Sequence, residues 1–216
     1  ASSGSDFVYI NKADGITITY YRGTDVNVTI PDTIDGKPVV TIGNGAFCTS
    51  NLTSIVMPDS VTSIQSIAFF NCQALESVTL SKNITNIDLS AFSGCTSLKN
   101  IILPDSLTSI GNSAFSRCPN LTSVTLPENL TSIGNHSFFS CTGLKKIIIP
   151  GKVNSIGSNA FGSCSSMYDI TIPASVNSMG DGLSNFRNVY FEGDIPTFTN
   201  TSGNYNFGAR VIFYYL

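Results

Sequence analysis

The sequence predicts a solenoid of the α/β kind. The expected form is a right-handed coil with a parallel β-sheet on its concave face, short turns or single 3-10 or α turns on the other side, and β-rich caps at both ends. Three observations carry this. Leu52, Leu75, Leu98, Leu121, Leu144 and Met167 recur every 23 residues, and Ile64, Ile87, Ile110, Ile133, Ile156 and Met179 do the same. Phe69, Phe92, Phe115, Phe138 and Phe161 keep that phase, as do Cys72, Cys95, Cys118, Cys141 and Cys164. A unit of 23 residues is too short to set a long helix beside a strand. It also cannot bury its own apolar side, so successive copies must stack.

Taken in chain order, residues 1–6 (Ala-Ser-Ser-Gly-Ser-Asp) read as a flexible tail. Residues 7–24 read as an N-terminal capping hairpin, because Phe7–Ile10 and Ile16–Tyr20 flank Asp14-Gly15, a strong turn signal. The repeats occupy 25–190. In the copy from Leu121, Val124 and Leu126 alternate with polar residues, the mark of a short strand with one buried face. Pro127 lacks an N–H and ends the ladder. Leu130 and Ile133 turn inward from the opposite side of the coil, Gly134 permits a tight corner, and Ser137-Phe138 with Cys141 forms a short turn before the next strand. The polar ladders Thr62/Thr85/Thr108/Thr131 and Ser63/Asn86/Ser109/Ser132 are expected to satisfy backbone groups at the corner. The phase decays near the C-terminus, where Leu183, Ser184 and Arg187 replace Ala, Phe and Cys. Residues 191–216 then read as a C-terminal capping hairpin, with Phe198, Tyr205, Phe207, Phe213, Tyr214 and Tyr215 as its plug. An aromatic ligand patch there is the sharper alternative.

Composition narrows the function. Charged residues are 12%, about half the usual share, so Ser, Thr and Asn supply the polarity, as suits an extracellular chain. Net charge is −3, and no basic run exceeds Lys145-Lys146, which speaks against a nucleic-acid partner. No apolar run reaches the ~18 residues of a membrane span. The chain starts at Ala1 without Met, which fits either a removed signal peptide or trimming, and a longer protein continuing past Leu216 is open.

The pattern Leu98-x-x-Ile101-x-Leu103-Pro104, Leu107-Thr-Ser-Ile110-Gly111, Ala114-Phe115 and Cys118 resembles the BspA-type leucine-rich repeat. That family comprises bacterial, mostly secreted or surface-attached, proteins. The match covers about residues 25–190, and Gly23 to Pro38 looks like the family's first repeat with an insertion carrying Asp35-Gly36. The resemblance implies an α/β leucine-rich-repeat solenoid that is secreted or held at the cell surface. It implies a non-catalytic interaction or adhesion module whose partner is an extracellular protein or cell-surface ligand. A rigid spacer or display unit within a larger surface protein is the alternative, and a glycan-acting enzyme the least favoured reading. A monomer is expected.

Leucine-rich repeats usually bind on the concave strand face. The outward position two before the repeat's Pro reads Val56, Thr79, Ile102, Thr125, Ile148, Thr171. β-branched residues suit strands, yet an exposed apolar stripe also marks interaction sites. Val56, Ile102 and Ile148 are therefore candidate ligand-binding residues. Most neighbouring charges look paired along the ladders: Glu76 with Lys99, Lys146 with Asp169, and Lys82 between Asp59 and Asp105. Lys145 and Tyr168 are the least compensated and join the candidates.

No catalytic, cofactor or metal site is expected. Ladder cysteines should point the same way into the core, the wrong geometry for disulfides, so they read as buried free thiols with Cys48 one place off phase. No C-x-x-C occurs, and His136, the only histidine, reads as a solvated residue on the outer turn. Asp105 and Glu128 share a phase and would be edge neighbours, not facing walls of a hydrolase cleft.

Overall fold

In the computed structural model, residues 4–194 and 196–199 are described together with the backbone of 210–213. Each 23-residue period makes one turn of a β-solenoid of about eight turns. Every turn has three sides, and each follows from a different part of the repeat.

The first side is the alternating strand. Ser54–Val56, Ser77–Thr79, Asn100–Ile102, Ser123–Thr125, Asp169–Ile172 and Asn188–Phe191 present one residue in two to the core, and neighbours pair in parallel. This row is broken. It comprises a three-stranded, a two-stranded and another three-stranded sheet.

The second side differs from the corner that its sequence suggests. It is a second strand row, of two residues per turn: Ser63–Ile64, Asn86–Ile87, Ser109–Ile110, Ser132–Ile133, Ser155–Ile156 and Ser178–Met179. These lie in one 11-stranded sheet, parallel and in register along the repeats. The threonine ladder beside it satisfies carbonyls as expected: Thr131 Oγ1 donates to Thr108 O at 2.9 Å, and Thr108 Oγ1 to Thr85 O at 3.2 Å. Gly134 is needed here for space. A Cβ would sit 2.7 Å from Asn112 N on the previous rung, and its φ is not left-handed.

The third side carries Ala-Phe-x-x-Cys and corrects the α/β expectation. Among the described residues the one helical element is a 3-10 turn at Gly4–Asp6. The repeats contain no α or 3-10 turn among the described residues; the chain zigzags through residues in the left-handed region. Thr49, Ile67, Asn71, Ser90, Ser113, Arg117, His136, Ser140, Asn159 and Ser163 have φ between +52° and +58°. Each such residue costs about 1–2 kcal/mol for a side chain with a Cβ. It turns alternate N–H groups sideways onto the next rung: Phe92 N donates to Ala114 O at 2.8 Å, Phe115 N to Ser137 O at 2.7 Å and Phe138 N to Ala160 O at 2.8 Å. A helix would bond within its own turn and leave the rungs unconnected.

Two columns fill the core behind this side. The rings of Phe47, Phe69, Phe92, Phe115, Phe138 and Phe161 stack with centroids 4.9–5.6 Å apart and planes within 11° of parallel. Beside them, each phase-locked thiol donates to a phenylalanine carbonyl of the preceding coil, such as Cys118 Sγ to Phe92 O at 3.2 Å and Cys141 Sγ to Phe115 O at 3.0 Å. All six cysteines are free thiols; Cys48 is half-buried and the others are buried. Burial holds the Cys118 and Cys164 thiols up to about 12.

At the N-terminal end, β1 (Phe7–Asn11) and β2 (Ile16–Tyr21) form an antiparallel hairpin. β3 (Asn27–Thr29) starts the first strand row. β4 (Thr33–Ile34) turns through Asp35-Gly36 into β5 (Lys37–Ile42), which pairs with β2 in parallel. Phe7 and Tyr21 continue the aromatic column beyond Phe47. Gly4–Asp6 differ from the flexible tail expected for 1–6. Ser5 O accepts from Arg22 Nε at 2.7 Å and Asp6 O from Arg22 N at 2.9 Å, which fixes the turn.

The far end differs from the expected hairpin over 191–216. Thr197–Phe198 and Arg210–Phe213 pair in parallel with Ser178–Met179 and Asn188–Phe191, adding rungs to both rows. Tyr205, Phe207, Tyr214 and Tyr215 lie outside the described residues. No helix among the described residues is long and apolar enough to cross a membrane.

Candidate functional site

Strand alternation decides which side chains the first row shows to solvent. Ile55, Ile101, Val124, Ile147 and Ile170 point inward and are buried. Their chain neighbours point out. Parallel register sets Val56 beside Thr79, Ile102 beside Thr125, and Thr171 beside Tyr190. Val56, Ile102 and Ile148 are all exposed, Ile102 to 80% and Ile148 to 69%. No core contact accounts for an isoleucine so placed, since threonine serves the same backbone position one rung away.

The row opens around Ile148. No strand forms over 145–149, and among the described residues no backbone hydrogen bond joins Lys146, Ile147 or Ile148 to the rung on either side. A cavity of about 260 Å³ lies toward Val124, Thr125 and Glu128, and one of about 230 Å³ toward Thr171, Pro173 and Glu192. Lys146 and Ile148 line both. Ile148 is thus a ridge between two clefts, each with an apolar wall, the shared Lys146 and a carboxylate of its own, Glu128 or Glu192.

The charge ladders form only in part. Lys82 Nζ lies 2.6 Å from Asp59 Oδ2, and Lys99 Nζ 2.9 Å from Glu76 Oε2. Hydrogen bonding from Lys82 holds the Asp59 carboxyl below the usual carboxylate range. Asp105 does not join its ladder, and Lys146 does not pair with Asp169. Asp169 Oδ1 instead accepts from Asn188 Nδ2 at 2.7 Å. With its rung unbonded, Lys146 faces the clefts and has no ion-pair partner among the described residues. Sequence reasoning leaves Lys146, Glu128 and Glu192 out of the site. Their signal is weak, namely the run Lys145-Lys146-Ile147-Ile148-Ile149, in which no polar residue separates the apolar ones.

Lys145 is exposed on the rung before Tyr168. Tyr168 is half-exposed, with the Arg187 guanidinium carbon 4.4 Å from its ring centroid, a cation–π contact. All five candidate side chains are thus exposed: Val56, Ile102 and Ile148 at the outward strand position, with Ile148 at the clefts, and Lys145 and Tyr168 at the position three residues earlier in the repeat.

His136 is half-buried, in contrast to the solvated position expected. Its left-handed backbone folds the ring back onto Phe139, edge to face at 5.4 Å. Among the described residues no three His, Cys, Asp or Glu side chains converge as a metal site requires.

This chain is similar to several known proteins. The model of the BspA type leucine rich repeat region matches it in six copies, over residues 40–164 and 86–208. The leucine rich repeat protein of T. pallidum is 29% identical with a TM-score of 0.64, covering 91% of this chain and 85% of that one. A leucine rich cell surface protein from Faecalibacterium prausnitzii A2-165 is 27% identical with a TM-score of 0.60, covering 88% and 70%. A leucine-rich repeat protein from Bacteroides capillosus is 33% identical with a TM-score of 0.51, covering 57% and 95%. No curated protein matches.

Proposed function

The chain belongs to the BspA-type leucine-rich repeat family, and on that footing we propose that it is a non-catalytic interaction module of a secreted or surface-attached bacterial protein. Its partner is an extracellular protein or cell-surface ligand, docked on the face that carries Val56, Ile102, Ile148, Lys145 and Tyr168. This reading sets that face on the inner, concave side of the stack. One observation carries it: large apolar side chains stand in solvent on rungs where threonine would serve the backbone equally well, and the sheet opens into two clefts beside one of them. Apolar anchors beside clefts that pair an apolar wall with a lysine and a carboxylate are what concentrated binding energy requires. The likeness to a leucine rich cell surface protein supports the location.

The test is an array of extracellular-matrix proteins and glycans probed with the native chain and with the double variant Ile102→Asp, Ile148→Asp. Binding of at least one array member is expected. The double variant should weaken it by more than about tenfold while its melting temperature stays unchanged. Equal binding by both proteins removes this face from consideration.

The unbroken phenylalanine column favours a second reading, a rigid spacer that holds other domains away from a surface. Failure to bind any array member, with the fold intact, selects it.

A further inference from the structure

The long sheet ends on its N-terminal side at β1. β1 pairs only with β2, so its outer edge has no strand partner among the described residues. The strand is anchored from its inner face. Phe7 is buried against Tyr21 and Phe47, the Tyr9 hydroxyl donates to Asp35 and Lys37 Nζ donates to Asn11 Oδ1 at 2.8 Å. The opposite face is apolar and open: Val8 is 42% exposed, Ile10 52% and Tyr20, directly across from Val8, 57%.

Exposed edges are ordinarily blunted by proline, by inserted lysine or by a bulge on the edge strand itself. β1 has no proline or lysine, and the extra residue of its irregular pairing, Thr19, belongs to β2. The direction of the free groups can be read from their neighbours. Asp6 O accepts from Arg22 N and Val8 O from Thr19 Oγ1, so these carbonyls face β2. Alternation then turns the peptide groups of Phe7, Tyr9 and Asn11 outward.

An antiparallel partner strand centred on Tyr9 would bond to those three residues. If the partner is the same strand, Tyr9 lies opposite Tyr9 and Phe7 opposite Asn11. Val8 meets Ile10 twice on the open face, and Asp6 meets Lys12 at both ends. Shifting the register by two residues in either direction sets Asp6 against Ile10 or Lys12 against Val8. The segment Asp6-Phe-Val-Tyr-Ile-Asn-Lys12 is therefore self-complementary in charge and in apolar pattern about one point, as a two-fold interface requires.

We propose that this edge pairs with a second copy of the chain, joining two solenoids head to head through one continuous sheet. This departs from the monomer expected from the sequence. The two copies present their ligand faces on one rod, which raises avidity for any repeated surface ligand.

Sedimentation velocity of the full chain tests this. Wild type should sediment as a dimer, twice 23.0 kDa, at micromolar concentration, and Val8→Lys, Ile10→Lys as a monomer with an unchanged melting temperature. Should that variant misfold, cross-linking decides. Under mild oxidation, Val8→Cys mixed with Ile10→Cys should give a disulfide-linked dimer, and Val8→Cys alone should not. A monomeric wild type overturns the proposal, as does a dimer that survives the lysines or a Val8→Cys variant that cross-links equally well by itself.

Discussion

Along the phenylalanine side every rung is bonded sideways to the next, and the inward-facing residues, Phe with its neighbouring small residue and Cys, scarcely change from Phe47 to Phe161. Along the strand face carrying Val56, Ile102 and Ile148, pairing lapses between Ser77–Thr79 and Asn100–Ile102 and again around 145–149, and the outward residue alternates between threonine and a larger apolar group. The two sides belong to the same coil and share its period. The difference teaches that stacking is secured on one side, which leaves the other free to vary. Backbone strain is accepted where it connects rungs, and sheet bonding is relaxed where side chains meet solvent.

The largest expected effect comes from breaking the secured side. Phe115 is fully buried, with Phe92 and Phe138 at 5.4 and 5.3 Å on either side. Phe115→Ala opens a cavity that neither neighbour can fill, since each is fixed by its own rung. Urea denaturation should show a loss of about 3–5 kcal/mol. A loss below about 1 kcal/mol would mean that the column is not what holds the coils together.

A smaller effect separates the sides by pH. Burial holds the Cys118 and Cys164 thiols up to about 12 and raises Cys141 well above its ordinary value, while in the unfolded chain they titrate near about 8.5. The folded state therefore keeps protons that the unfolded state sheds. Their contribution is complete below about pH 8.5 and is lost as pH rises toward 12. The urea midpoint should fall between about pH 8.5 and 11, and Cys118→Ser, whose hydroxyl does not titrate there, should lessen the slope. At about pH 8 a thiol reagent should label half-buried Cys48 alone until the chain unfolds. Rapid labelling of all six in the native state would contradict the sealed core.

Much of the secured side was legible in the sequence, because phase-locked Phe and Cys can only mean equivalent positions in stacked coils. Its backbone was not. The left-handed positions are held by Ile67, Ser90, Arg117 and His136 as well as by Gly94, so no residue type announces the turn that replaces a helix. The second strand row escaped for another reason: at two residues per turn, as in Ser109–Ile110, alternation has no length over which to show. On the variable face, alternation alone sent Val56, Ile102 and Ile148 outward, and the structure exposes all three. The clefts were not legible. Pairing Lys146 with Asp169 assumed rung-to-rung register, and that is lost where 145–149 leaves the sheet.

The smallest effect tests the variable side by its insensitivity. Ile102 stands next to Thr125 in the parallel row, and the two share one backbone geometry. Ile102→Thr therefore repeats a solution the chain already uses and removes only solvent-facing methyl groups. Stability should change by less than about 0.5 kcal/mol, whereas binding to the array ligand should weaken. A marked loss of stability would show that Ile102 covers core surface and is retained for folding, which would remove the reason for assigning it to a partner.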